Sequence, residues 1–173
     1  DGTVGSSWLP PPVNGHSIIA MWNGMHGMLS DKYLFLCEPD APYAWPFKYQ
    51  KSLRSAGVAL GKWAQNLVVL TTAEAIIYQG LDPLTLAPLP SSIDSPCLSA
   101  AGVVSMGDGV AWPSNEGIAW VGDSGYRNLT QFIFTSDQWQ AMDPTSIVAA
   151  RWGSYYVASF TDVVGRRGFI LDP

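Results

Sequence analysis

At 173 residues, 47% of them apolar and 13% charged, the chain is too hydrophobic for disorder and long enough to bury a sizeable core. A net charge of −5 argues against a surface that wraps nucleic acid, which needs clustered Lys and Arg. No apolar run approaches the length, on the order of 18 residues, that marks a membrane-spanning helix.

Seventeen Gly, thirteen Pro and eight Trp with so few charges point to an all-β protein with frequent reversals. The first residues, Asp1-Gly2-Thr3, lack a Met and a basic region before an apolar run, so they do not form a signal peptide. They read as the interior of a longer chain. Phe169 to Pro173 reads as a strand entering a turn that should lead further.

Residues 1–17, containing Trp8-Leu9-Pro10-Pro11-Pro12, read as an extended arm from a preceding domain, with a polyproline II ligand as the alternative. From residue 18 onward the chain repeats. The first unit, about 18–50, runs Ile18 to Met21, a turn at Asn23-Gly24, Met25 to Leu29, a turn at Ser30-Asp31, and Tyr33 to Cys37. The second, about 57–90, has Gly57 to Leu60, a turn around Ala64-Gln65-Asn66, Leu67 to Leu70, and Ala75 to Tyr78, with a fourth strand expected at Thr85 to Leu89. The third, about 101–131, has Val103 to Met106, Asp108-Gly109, Val110 to Trp112, Ile118 to Val121 and an expected fourth strand at Tyr126 to Thr130. The fourth, about 147–173, has Ile147 to Arg151, Gly153-Ser154, Tyr155 to Phe160 and Gly168 to Leu171.

The first turns begin at Asn23, Gln65, Asp108 and Gly153, at intervals of 42, 43 and 45 residues. Asn-Gly and Asp-Gly are strong hairpin signals, because both central residues of a type I′ turn take positive φ. Three- to four-stranded antiparallel units at this period are the signature of a β-propeller, in which neighbouring blades cover the faces that one blade cannot bury alone. Strands apolar on both sides, such as Leu67-Val68-Val69-Leu70, suit a sheet held between neighbours. The first and last units are expected to draw completing strands from outside these residues. One short helix is expected near 136–142, capped by Ser136, packed through Trp139 and stopped by Asp143-Pro144.

Catalytic and metal-binding patterns are weak, and the reading is of a non-enzymatic chain with no catalytic, cofactor or metal residues assigned. His16 and His26 are the only histidines, and His26 lies within a strand, where a structural role is the default. There is no Gly-x-Ser-x-Gly elbow and no metal-ligand spacing. Cys37 and Cys97 read as two buried thiols. Glu74 and Glu116 occupy equivalent second turns, which favours turn chemistry over a glycosidase carboxylate pair. Asp31, Asp108, Asp123 and Asp162 read as turn residues, since no Asp-x-Asp motif supports calcium. Asn128-Leu129-Thr130 fits the glycosylation pattern, and Arg166-Arg167 reads as an exposed hairpin tip. Trp22, Trp45, Trp63, Trp112, Trp120, Trp139 and Trp152 fall near strand ends and should pack blade to blade, with one or two left for an interface or a sugar-binding groove.

The segments between the repeats carry a resemblance. Trp8-Leu9-Pro10-Pro11-Pro12, Phe35-Leu36-Cys37-Glu38-Pro39, Pro42-Tyr43-Ala44-Trp45-Pro46, Asp94-Ser95-Pro96-Cys97-Leu98-Ser99, Phe134 to Trp139 and Asp143-Pro144-Thr145-Ser146 occur in an order that resembles the tail nozzle, or tail tubular protein B, family of short-tailed phages and prophages. The most specific parts are Glu38 to Pro46 and Asp137 to Pro144, and the chain departs from the pattern at Asp40-Ala41 and Pro42-Tyr43-Ala44.

The resemblance implies a structural virion protein made in the bacterial cytoplasm and located in the phage tail. It implies a ring, usually of six copies, that meets a tail adaptor and a fibre or plug protein and lets genomic DNA pass without specific binding. Under it, acidic lining would let DNA slide. The alternative is a carbohydrate-binding or carbohydrate-cleaving propeller used in host recognition.

Overall fold

Two-residue turns set the architecture. Asn23 and Gly24 take φ of 52° and 65°, the type I′ geometry that matches the twist of the flanking strands. They join β1 (His16–Ala20) to β2 (His26–Ser30), which continues through Asp31 into β3 (Tyr33–Leu36). The computed structural model describes residues 10–90 and 92–173. Trp8 and Leu9, and with them most of the expected N-terminal arm, lie outside the described residues.

A short strand, β4 (Lys51–Ser52), pairs with β3 and completes a four-stranded first sheet, so this unit draws its last strand from within the chain rather than from outside it. The second sheet holds β5 (Gly57–Trp63), β6 (Asn66–Thr71), β7 (Ala75–Gln79) and β8 (Ala87–Pro88). The third holds β9 (Val104–Ser105), β10 (Gly109–Ser114), β11 (Gly117–Gly122) and β12 (Gly125–Asn128). The fourth holds β13 (Val148–Trp152), β14 (Tyr155–Asp162) and β15 (Gly165–Leu171). Every pairing is antiparallel between neighbours in sequence, so each sheet is a meander.

The sheets stack in chain order. β1 and β2 pack on β5, β5 packs on β9 and β10, and β9 packs on β13. The first strand of each sheet therefore lies where the sheets converge. No comparable packing joins the first sheet to the fourth among the described residues, so the four blades form an open arc of a β-propeller.

Three hydrophobic cores fill the three junctions, and strand alternation divides residues between them. Leu67 and Val69 of β6 join Leu29, Leu34 and Leu36 in the core between the first two sheets. Val68 and Leu70 of the same strand join Val110, Trp112, Ala119 and Val121 in the next. Ala111, Ile118 and Trp120 then meet Tyr156, Ala158, Phe160 and Leu171 of the fourth sheet. All four apolar residues Leu67 to Leu70 are fully buried, each worth about 1.5–3 kcal/mol relative to exposure. This is why these strands show apolar runs rather than alternation.

Two local expectations need correction. Asp108-Gly109 is not a type I′ turn: the positive φ there belongs to Gly107 (99°), and Gly109 already pairs with Gly122 in β10. Gly109 is required by close approach, since a Cβ at that position would meet the Trp120 ring at 2.4 Å. The helix, α1 (Ser136–Ala141), is capped by Thr135 rather than Ser136. Thr135 Oγ1 accepts from the Gln138 amide at 3.2 Å, and Gln138 Oε1 accepts from the Thr135 amide at 2.9 Å, a complete capping box. Trp139 is buried as expected, and Asp143, with φ of 48°, ends the segment ahead of Pro144.

Candidate functional site

The connectors around Glu38 to Pro46 and Asp137 to Pro144 are held by side-chain hydrogen bonds. After β3, Glu38 bridges to Ala41, Trp45 Nε1 donates to the Pro42 carbonyl at 2.9 Å, and the Tyr49 hydroxyl donates to Glu38 Oε1 at 3.3 Å. Trp45 is 2% exposed. Between the third and fourth sheets, Trp139 Nε1 donates to the Ser114 carbonyl at 2.9 Å and Gln140 Nε2 to the Asn115 carbonyl at 2.9 Å, so α1 is fastened to the β10–β11 turn. Tyr43 and Phe47 stand outward from the first connector, each 69% exposed.

The residues weighed for chemistry are dispersed. His16 Nε2 lies 3.0 Å from the Gly57 carbonyl, a contact between the first two sheets. His26 Nδ1 is 3.7 Å from Cys37 Sγ. Burial pushes the Cys37 thiol up, the reverse of what a nucleophile needs. Cys97, the other free buried thiol, is pushed up to about 12 by the same cause. Burial also raises the Tyr156 phenol, whose hydroxyl donates to the Gly102 carbonyl at 2.8 Å.

Glu74 and Glu116 line separate clefts, the first with Arg54 and Tyr78, the second with Asp94 and Tyr126. Asp162 accepts from the Val164 and Gly165 amides at 2.8 and 3.1 Å and pairs with Arg167 at 3.3 Å. Asp123 Oδ1 accepts from Trp63 Nε1 at 2.9 Å across the junction of the second and third sheets, a role that its turn position does not disclose. Asn128 holds the β10–β11 turn, donating to the Glu116 carbonyl at 2.8 Å and accepting from the Thr130 amide at 2.9 Å. Among the described residues no group of three or more His, Cys, Asp or Glu is placed to hold a metal ion.

One concave surface gathers charged side chains. A cleft of about 320 Å3 lies between the turn at Gly107 and the β13–β14 hairpin, lined by Asp108, Arg151, Ser154 and Asp172 among others. Arg151 Nε donates to the Gly153 carbonyl at 2.7 Å, which holds the guanidinium over Gly107. On the opposite face of the hairpin Trp152 and Tyr155 pair across β13 and β14, ring centroids 6.0 Å apart and 37° tilted, with Trp152 68% exposed.

No family model matches the chain, and no curated protein matches it. Solved structures do. One is described as the AfRom2 CNH domain, with 11% identity and a TM-score of 0.53, matching 92% of this chain and 54% of that one. The chain thus spans about half the length of that solved chain, and the likeness, to a β-propeller, bears on fold alone.

Two serines escaped the sequence reading. Ser17 Oγ accepts from the Leu60 amide at 2.8 Å and Ser105 Oγ from the Lys62 amide at 3.0 Å. Both amides lie on the edge of β5 that faces away from β6. Serines from the sheets on either side thus satisfy an edge that a fifth strand would otherwise seek. A partial signal existed, since both bonds join residues 43 apart, the repeat length. The convergent strands carry Lys62 and Arg151 and no carboxylate, so an acidic lining is not formed by β1, β5, β9 or β13.

Proposed function

We propose that the chain is a rigid, non-catalytic β-propeller portion of a tail-nozzle-type virion protein, acting as a wall and attachment platform for DNA ejection. The observation that carries this reading is the pair of connectors that bear the resemblance, Glu38 to Pro46 and Asp137 to Pro144. Each is fixed by a buried Trp whose indole N–H is bonded to a carbonyl, Pro42 for Trp45 and Ser114 for Trp139. The first folds the connector within the first sheet, and the second fastens α1, between the third and fourth sheets, to the β10–β11 turn, anchoring that suits a structural wall. Under this reading the partners are further copies of the chain in a ring, six by family resemblance, with a tail adaptor and a fibre or plug protein. The experiment is immunogold labelling of purified short-tailed particles from the source strain, with mass photometry of the released tail complex. Label at the distal tail tip in a ring assembly supports the reading; unlabelled particles overturn it.

A second reading rests on the exposed Trp152–Tyr155 pair on the β13–β14 hairpin. Exposed aromatic rings suit a sugar face, which makes host glycan the ligand class. A glycan array checks it: binding that Trp152→Ala abolishes supports this reading, and a blank array removes it.

A further inference from the structure

Between the second and third sheets the chain crosses as a strap, residues 93–99, whose backbone is fixed on both sides. Ile93 forms an isolated bridge with Ala75, the Cys97 amide donates to the Thr71 carbonyl at 3.0 Å, and the Leu98 amide donates to the Pro113 carbonyl at 3.0 Å. Ser95 lies within this strap and is 3% exposed, and its Oγ has no hydrogen-bond partner among the described residues. A buried hydroxyl without a partner is costly, and native structures rarely keep one without a reason. The pinned backbone holds Ser95 in that position.

Ser95 lines a cleft of about 190 Å3 whose other wall is the β10–β11 turn. That turn is held as firmly as the strap. Asn128 Nδ2 donates to the Glu116 carbonyl at 2.8 Å, and Gln140 Nε2 donates to the Asn115 carbonyl at 2.9 Å. Ser114, the second buried serine of the cleft, donates its hydroxyl to the Gly117 carbonyl at 3.0 Å and is thereby committed; Ser95 is not. Two exposed carboxylates stand on the two walls, Asp94 on the strap and Glu116 on the turn, and neither is paired with a Lys or Arg among the described residues. Tyr126 also lines the cleft, its ring centroid 6.4 Å from that of buried Trp112.

These groups present negative charge and acceptor oxygens, and no cation. A hard metal ion such as calcium takes roughly six to eight oxygens, more than two carboxylates and a hydroxyl supply. A primary ammonium carries three N–H donors and no acceptor. One bond each to Asp94, Glu116 and Ser95 Oγ would use all three, and a neighbouring tyrosine ring adds a π-surface that attracts cations.

We propose that the cleft between the Asp94–Pro96 strap and the β10–β11 turn binds a primary ammonium group, held by Asp94, Glu116 and the Ser95 hydroxyl. The carboxylates supply charge-assisted bonds, and the buried hydroxyl supplies the third acceptor at the floor of the site. A lysine side chain of a partner protein and a free aliphatic amine present this same group. The proposal does not rest on either functional reading above.

The test titrates butylammonium chloride into the intact chain at constant ionic strength and follows amide chemical shifts. Saturable shifts are expected at residues 94–96 and 115–117. Tetramethylammonium chloride, with the same charge and no N–H donor, should bind ~10-fold more weakly or worse. Ser95→Ala should weaken butylammonium binding by ~10-fold while melting at or above the temperature of the parent chain, because it removes an unsatisfied hydroxyl. Glu116→Gln, at an exposed turn position, should weaken it by ~3-fold or more. Asp137→Asn, an exposed carboxylate outside the cleft, should leave it unchanged. Shifts that do not saturate, equal binding of tetramethylammonium, or an affinity that either cleft variant leaves unchanged overturns the proposal. Blocked lysine and spermidine, titrated in parallel, separate the two sources. Blocked lysine binding as well as butylammonium assigns the group to a partner's side chain; its exclusion while spermidine binds assigns it to a free amine.

Discussion

The third and fourth sheets are built from the same repeat yet meet water in opposite ways. Every residue of β10 and β11 is buried, whereas β13 is exposed at four of five positions and β14 alternates. The difference is the number of covered faces. The third sheet lies between two neighbours and sends Val110 and Trp112 to one core and Ala111 and Trp120 to the other. The fourth is covered on one face, so Tyr156, Ala158 and Phe160 are buried while Val148, Tyr155 and Ile170 are exposed. Hydrophobic alternation in this chain thus reports a blade's place in the arc.

Substitutions on the two sheets should separate accordingly. Trp112→Ala, at a fully buried position, is expected to cost about 3–5 kcal/mol, seen as a large drop in the urea midpoint; a loss under 1 kcal/mol would mean that the interior junction is not close-packed. The next effect is alkaline. Cys97, in the core between the second and third sheets, has its pKa raised from 9.0 to about 12 by burial. Between those values the unfolded chain releases a proton that the folded chain keeps. Stability is therefore undiminished below pH 9 and falls as pH rises, by about 1.4 kcal/mol per pH unit from this one group. Cys37, Tyr78 and Tyr156 are shifted in the same direction. Chemical denaturation from pH 8 to 11 should show the decline, and Cys97→Ala should make it shallower.

A smaller cost, about 1–3 kcal/mol, is expected for Gly109→Ala, because the added methyl meets the Trp120 ring. Calorimetry that finds Gly109→Ala neutral would show that the ring yields. The smallest effect belongs to the uncovered face: Ile170→Thr should stay within about 0.5 kcal/mol. A greater loss by the same measurement would show that the face is covered in solution.

The sequence disclosed the units because their turns are chemically marked. Asn23-Gly24 and Gly153 sit where positive φ is needed, and the apolar runs mark the doubly covered strands. What stayed hidden depends on distant partners. β4 is two residues of ordinary composition, Lys51 and Ser52, and becomes a strand because β3 offers an edge. Asp108-Gly109 imitates a turn signal, but Trp120 across the sheet gives that glycine its purpose. Thr135 outcompetes Ser136 as the cap because it stands three residues before Gln138, whose amide and side chain it needs. For the candidate cleft, Arg151 was visible only as a strand-end residue; its meeting with Asp108 and Asp172 is set by how the third and fourth sheets abut.

The division of β6 between two cores has a consequence for how this chain can vary. Leu67 and Val69 furnish one compartment and Val68 and Leu70 the next, so the strand is a party wall with different tenants on its two sides. Adding or removing one residue within it would turn every tenant out to the opposite compartment. Length changes are therefore confined to the connectors, such as the fourteen residues between β3 and β4 and the two between β11 and β12, and the blades can be refitted at their rims while their walls stay in place.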